Sequence, residues 1–365
     1  MSEGHKLKLK STVLMYTAKR GTINLRYCSE VISIEDEQKD IAFFFSLLDG
    51  RLTEEQIREN FQRHYQNDTK TQAKVNDYLA TVKELGIVEL TTENDNCLSQ
   101  YQNERYSRNF EFFNTIIPFG NSKYYIQRKI ADSRIILLGC GGLGSHIMLE
   151  LAALGIENLT LVDYDKIELS NLNRQILYKE NDIGKMKVYT AKENLLFFNS
   201  KINISAIHKK LESADDIFEL IKGHDLVICV ADKPRNKIVR WLNDACCKSG
   251  IPFINGGLDI RQAIFYSVIP GISGCTECWK SGLNESERQI IEEDNFTNKD
   301  YVAPAPALSA LVAVATGVII SETIKILTKI QPAGLTNKLK SFSFDDLTIN
   351  TTEVWTKKDN CPYCK

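Results

Sequence analysis

LLGCGGLGSH, residues 137–146, sets Gly139, Gly141, Gly142 and Gly144 between an apolar run and the helical pattern of HIMLELAALG. Strand, tight turn and helix, in that order, is the setting in which a G-x-G-x-x-G spacing binds a phosphate-bearing ligand. Glycines let backbone N–H groups approach phosphate oxygens, and the helix N-terminus adds its partial positive charge. The next apolar run, NLTLVDYD, places Asp163 about 20 residues beyond the loop, where a carboxylate meets ribose hydroxyls. Up to this point a nicotinamide dinucleotide and ATP fit equally well.

The segment that follows separates them. KIELSNLNRQ sets Asn171 and Arg174 just past the second strand, on the same edge of the sheet as the glycines. A nicotinamide has no use for an arginine fork and an amide there, whereas a polyphosphate under attack does. GKMK adds Lys185 and Lys187, and HDLVICVADKPRN ends another apolar strand on Asp232, a carboxylate able to hold Mg²⁺. Together these residues imply a nucleotide with magnesium; the plainer alternative is that the charges only cap strand ends. The fold class is α/β, a Rossmann-like doubly wound sheet.

At 365 residues, 43% hydrophobic and 25% charged, the chain has the composition of an ordinary globular protein of two domains. A net charge of −2 gives no reason to expect nucleic acid or an acidic membrane as partner. HKLKLKSTVL alternates instead of forming the apolar core of a signal peptide, so a cytoplasmic location is expected. APALSALVAVATGVII is too short to span a bilayer and reads as a helix buried inside the fold, continued by SETIKIL.

Of ten cysteines, four form two pairs, Cys275-x-x-Cys278 and Cys361-x-x-Cys364. Each pair offers two thiolates from one turn, and two pairs complete a tetrahedral, closed Zn²⁺ site that would staple the C-terminal segment. A redox role is the alternative for either pair alone. The remaining six read as small buried residues or chance exposed thiols.

The N-terminal region differs in texture. Residues 6–34 alternate as three short strands (LKLKSTVLMY, TINLRY, EVISI), and residues 38–85 show helical periodicity. DGRLTEEQIRENF carries a capping box, Thr53 with Gln56, after a glycine turn, and a third helix over about 70–85 ends at Gly86 before IVEL. Three strands followed by three helices predict a small winged-helix-like α+β domain over 1–92, which could also serve only for dimerisation. TTENDNCLSQ reads as a polar linker, so 93–130 is expected to be a linker and helical arm, and 131–365 the nucleotide domain.

These motifs carry a resemblance. ERYSRN, the GCGGLG loop, LVDYDKIELSNLNRQ, GKMK, VICVADKPRN, INGG and both CxxC pairs resemble the ubiquitin-activating-like (ThiF/MoeB-type) adenylyltransferases, which include the activators of sulfur-carrier proteins. LLDGRLTEEQI and its surroundings resemble the recognition element of enzymes that modify ribosomal peptides. The combination is most similar to the microcin C-type peptide nucleotidyltransferases. That resemblance implies a homodimer that uses ATP, or another NTP such as CTP, with Mg²⁺ and Zn²⁺, on a short ribosomal precursor peptide. It implies further that Asp163 binds the ribose, that Asn171, Arg174 and Lys187 grip the phosphates, that Asp165 and Gln175 also bind the nucleotide, and that Asp232 holds Mg²⁺. Arg108, from ERYSRN, would reach the γ-phosphate of the partner protomer. The product would be an acyl-nucleotide that a second nucleotide can convert into a P–N linked peptide-nucleotide.

One departure from the wider family stands out. Members that form a thioester often carry a nucleophilic cysteine between the zinc pairs, ahead of a segment like VAPAPA; here no cysteine lies between Cys278 and Cys361. Two other functions fit the motifs less well. A sulfur-carrier adenylyltransferase needs no leader-binding module, and a non-catalytic partner of a cyclodehydratase would have lost the phosphate-gripping residues kept here.

Overall fold

The computed structural model describes residues 4–18, 21–65, 68–91, 97–234, 237–285 and 306–364. The polar stretch 92–96, most of DNFTNKDYVAPAPA, and Arg235 and Asn236 of VADKPRN lie outside the described residues. The chain divides into two units, Met1–Arg128 and Lys129–Lys365.

In the first unit the strands are β1 (Lys6–Leu9), β2 (Leu14–Ala18), β3 (Thr22–Tyr27) and β4 (Glu30–Glu35). Helix α1 (Asp40–Ser46), strand β5 (Asp49–Thr53), helices α2 (Glu54–His64) and α3 (Thr69–Glu84), and strand β6 (Val88–Thr91) follow. LKLKSTVLMY is therefore two strands, not one. The chain turns after Lys10, whose carbonyl accepts from Val13 N at 3.0 Å, and β1 and β2 enter different sheets. The segment expected as a glycine turn is strand β5, antiparallel to β1, in a sheet ordered β5-β1-β6; β2-β3-β4 form a separate meander. The Thr53–Gln56 capping box is present: each backbone N–H is met by the other's side-chain oxygen, at 3.3 and 3.0 Å. Leu7, Leu25, Phe44, Ile57, Phe61, Val75 and Leu79 form the core. Helices α4 (Gln100–Arg105), α5 (Ser107–Ile116) and α6 (Lys123–Asp132) follow. Helix α5 meets β1 and β6: Lys10 donates to the Asn114 carbonyl, and Asn114 donates to Glu89 at 2.7 Å.

The second unit holds an eight-stranded sheet. Its parallel part comprises β7 (Arg134–Leu138), β8 (Asn158–Asp163), β9 (Asn203–His208), β10 (Leu226–Cys229) and β11 (Phe253–Asp259). Antiparallel β12 (Gln262–Val268), β13 (Lys338–Ser343) and β14 (Ile349–Val354) extend it, giving the order β14-β13-β12-β11-β10-β7-β8-β9. IILL, after the exposed Arg134, and LVIC read as unbroken apolar runs because interior parallel strands are covered on both faces; all of both runs is buried. The connecting helices are α7 (Gly142–Leu154), α8 (Lys187–Phe198), α9 (Ala214–Ile221) and α10 (Lys237–Ser249). A short helix, α11 (Thr276–Lys280), carries the first cysteine pair, and α12 (Ser309–Thr328) packs on α7, β11 and β12.

Helix α12 is long and apolar enough to cross a membrane by length and composition, yet half of that stretch is buried against the protein. Glu322 pins it. This carboxylate is 2% exposed and accepts from Ser267 Oγ (2.7 Å) and from the amides of Gly334 (2.7 Å) and Leu335 (3.0 Å), so burial leaves none of its charge unanswered.

Candidate nucleotide site and cysteine cluster

The strand order reverses between β7 and β10, and in open α/β sheets the crevice at such a switch point receives the ligand. Here the two strand ends nearly touch. Gly139 has φ +100°, and a Cβ there would stand 2.8 Å from Ala231 N; one on Gly144 would stand 2.1 Å from the Gly139 carbonyl oxygen. Both positions therefore need glycine, and α7 starts flush against the end of β7. Gly141 is the N-cap of α7 without a side chain to fill the space above its amides.

A cavity of about 1300 Å³ opens over this loop, and all its lining residues come from the second unit. Gly139, Gly141, Gly142, Asp163, Asp165, Asn171, Arg174, Gln175, Lys187 and Asp232 line it, so the structure brings together nearly every residue singled out in the sequence. Gly144 sits beneath the lining residues as packing. Lys185 turns away and pairs with Asp182 at 2.9 Å. Arg108 is exposed on α5 in the first unit and is not among the lining residues.

Backbone contacts hold the polar groups in place. Asp163 accepts from Cys140 N and Asp165 N, both at 2.7 Å, tying the end of β8 to the glycine loop. Each of its oxygens keeps lone pairs for a further donor. Lys187, the first residue of α8 and 6% exposed, donates to Asp165 at 3.0 Å. Arg174 donates to the Ser170 carbonyl and to Asn173 Oδ1, and its stem lies 3.4 Å from where a Cβ of Gly142 would be. The His146 ring nitrogen meets the Arg174 carbonyl at 3.1 Å, which fixes the turn. Asp232 is exposed to the cavity and has no hydrogen-bond or ion-pair partner among the described residues.

Gln175 tests whether a ligand fits. It is 2% exposed, lines the cavity beside Gly141, and its Oε1 has no partner among the described residues. A buried acceptor left unmet costs about 1–3 kcal/mol, so a donor arriving with a ligand relieves a deficit built into the site. Two cations, helix N-terminal amides and a lone carboxylate suit a nucleotide polyphosphate with a divalent ion. Cys140, inside the loop, is not a nucleophile of this site: burial, helped by the Asp163 carboxylate, pushes its thiol well up.

Cys275, Cys278, Cys361 and Cys364 are all buried, with their sulfurs within 4.8 Å of one another. The Cys275–Cys361 and Cys278–Cys364 separations are 3.6 and 3.5 Å. A disulfide requires about 2.05 Å. Zinc at about 2.3 Å from each of four sulfurs would space them about 3.8 Å apart, so the cluster fits a tetrahedral metal and not two disulfides. Trp355 Nε1 donates to the Gly274 carbonyl at 3.0 Å, locking the C-terminal segment against the first pair.

The sequence reading missed the far half of the cavity, where Lys237, Arg240, Trp241, Tyr266, Thr276, Trp279 and Trp355 line the wall. One available signal was that the chain has three tryptophans, all in its C-terminal half.

Residues 106–363 match the ThiF family. Among curated proteins, the chain is 33% identical over 181 residues to the sulfur carrier protein ThiS adenylyltransferase of Bacillus subtilis, covering 49% of this chain and 51% of that one. It is 28% identical to the heterocyst protein HesA of Trichormus variabilis, over 72% of this chain and 88% of that one. It is 30% identical to the adenylyltransferase and sulfurtransferase UBA4 of Lodderomyces elongisporus, over 74% and 56%. The chain thus spans about half the length of the Bacillus and Lodderomyces proteins. Among solved structures, E. coli MccB with AMPCPP and MccA superposes with a TM-score of 0.76 at 24% identity, covering 99% of this chain and 100% of that one. PaaA superposes with a TM-score of 0.72 at 22% identity, over 95% and 100%. With its glycine loop, its strand-end charges and all of its paired cysteines but Cys364 inside the matched span, the chain belongs to the ThiF family.

Proposed function

We propose that this protein is an ATP- and Mg²⁺-dependent nucleotidyltransferase that activates the C-terminal carboxylate of a short, ribosomally made peptide as an acyl-nucleotide. The observation that carries this reading is the first unit. The family match begins only at residue 106, yet the likeness to MccB covers 99% of the chain, so the additional N-terminal residues have a counterpart there. In the structures of MccB its partner is MccA, together with an ATP analogue in one case. A winged-helix-like recognition element in residues 1–92, with the edges of β2 and β4 open among the described strands, would hold an extended peptide by strand addition.

The chemistry follows from the charges. A peptide carboxylate oxygen attacks the α-phosphorus, the α–β phosphoanhydride breaks, and pyrophosphate leaves. Two anions must meet, which Arg174 and Lys187 permit by lowering the local negative potential. Loop amides and Asn171 orient the phosphates, and the spare lone pairs of Asp163 accept from ribose hydroxyls. Asp232 would hold Mg²⁺, whose charge neutralises the leaving pyrophosphate. The protein works as a homodimer in which Arg108 of one protomer serves the site of the other.

Asp232→Asn should keep its fold and metal yet lose peptide-dependent pyrophosphate exchange by at least about 10²-fold. Mixing it with Arg108→Ala should restore part of the activity, because one site in each mixed dimer then has both residues. Unchanged exchange in Asp232→Asn removes the carboxylate's role. No recovery despite demonstrated subunit exchange removes the action in trans.

A further inference from the structure

Of the cysteines outside the two CxxC pairs, one stands against the cluster that those pairs form. Cys247 lies on α10 and packs with the four paired cysteines in the same core. One turn earlier on that helix, the buried Asn243 uses its Oδ1 to accept from the backbone N–H of Thr276, the residue after Cys275, at 3.0 Å. The same oxygen lies 3.9 Å from the Cys247 sulfur. Helix α10 is thereby pinned to the turn that offers Cys275, and the Cys247 and Cys275 thiols are each other's foremost side-chain partners.

Two observations distinguish Cys247 from the four candidate ligands. It is not one of the sulfurs that lie within 4.8 Å of one another, so it abuts one corner of the tetrahedron without completing it. It is also half-buried, whereas Cys275, Cys278, Cys361 and Cys364 are at most 8% exposed. A small oxidant arriving from solvent therefore meets Cys247 before it meets any ligand sulfur. Its neighbour on the helix, Cys246, is fully buried in the core and offers no such entry.

We infer that Cys247 is an oxidation site coupled to the cysteine cluster: a hydroperoxide oxidises it, and Cys275 then leaves the ligand set to form a Cys247–Cys275 disulfide. In the first step the Cys247 sulfur attacks the peroxide, the O–O bond breaks, a sulfenic acid forms, and the thiol proton departs with the alcohol or water that is released. In the second the Cys275 thiolate attacks the Cys247 sulfur, the S–S bond forms, and the S–O bond breaks to release hydroxide. The two sulfurs together give up the two electrons that reduce the peroxide. Three remaining sulfurs do not close a tetrahedral site, so zinc is lost more readily and the C-terminal pair gives up its tie to the first. Cys275 is the N-cap of α11, whose Trp279 lines the large cavity, so the oxidised state also reaches that wall. None of this depends on which substrate the cavity takes.

The test treats the zinc-loaded full chain with hydrogen peroxide beside a chromophoric chelator too weak to strip the untreated protein, then maps peptides by mass after alkylation without reduction. Native protein should release zinc as one cross-linked pair of peptides, carrying Cys247 and Cys275, appears with the loss of two hydrogens. Dithiothreitol with added zinc should reverse both changes. Cys247→Ala should release zinc at least about ten-fold more slowly at the same peroxide concentration, because the accessible thiol is gone. Cys247→Ser serves if that variant fails to fold, and Cys246→Ala, which removes a buried sulfur from the same helix, should release zinc as the native protein does. Mapping separates the disulfide from oxidation of the exposed Cys28 and Cys97. Zinc released as fast without Cys247, a disulfide confined to Cys275–Cys278 or Cys361–Cys364, or a Cys247 sulfenic acid that never becomes a disulfide would each overturn the inference. A chain that binds no zinc would overturn the coupling, whatever disulfide it forms.

Discussion

Gly144 shows how far a single residue governs this site. Its missing Cβ is what lets α7 begin against the end of β7, since the added carbon would lie 2.1 Å from the Gly139 carbonyl oxygen. Gly144→Ala should therefore displace the loop, cost at least about 1–3 kcal/mol, and abolish binding of an ATP analogue. Gly317→Ala, exposed on α12 away from the loop, is the control, because its added carbon meets nothing within 4 Å. Melting curves of both variants with and without the analogue check the contrast; equal behaviour would contradict it. The glycines, Asp163, Arg174, Lys187 and Asp232 were legible in the sequence because strand ends on one sheet edge converge whatever the detail. What Asp163 bonds to was not legible, nor that Lys185 turns to Asp182 or that Gln175 is left with an orphaned oxygen. Those outcomes depend on side-chain directions that neighbouring segments impose.

Among the elements, the parallel strands and the cysteine knuckles were the most legible. IILL, after Arg134, and LVIC announce buried strands by being apolar throughout, and CxxC spacing is a local geometric requirement. Residues 6–53 were less so. Alternation could not distinguish one long strand from β1 and β2 in separate sheets, and Gly50 made β5 look like a turn, because pairing partners such as Thr53 and Lys6 are remote in sequence. The metal expectation belongs at this scale. Protein purified without added metal should contain about one zinc per chain, and chelation should release the four paired thiols to titration while Tm falls. No metal, with all four thiols reactive in the folded protein, would refute it. Cys229, buried in β10 and pushed up to about 11 by that burial, should stay unreactive throughout.

At the scale of the whole molecule, the fold assembles what sequence spacing hides. Trp241, Trp279 and Trp355 come from α10, α11 and the segment after β14, and only tertiary packing gathers them around one cavity. The same packing sets a phosphate-binding end beside an aromatic end, which suits joining a nucleotide to a second molecule. The central claim is that this second molecule is a peptide presenting a free carboxylate. Pyrophosphate exchange into ATP tests it most directly, measured with a pool of short peptides, the same pool amidated at the C-terminus, and a folded sulfur-carrier protein ending in Gly-Gly. Exchange should occur with the free acids and be absent with the amides and with the carrier. Exchange driven by the carrier alone, with the peptide acids silent, would contradict the account.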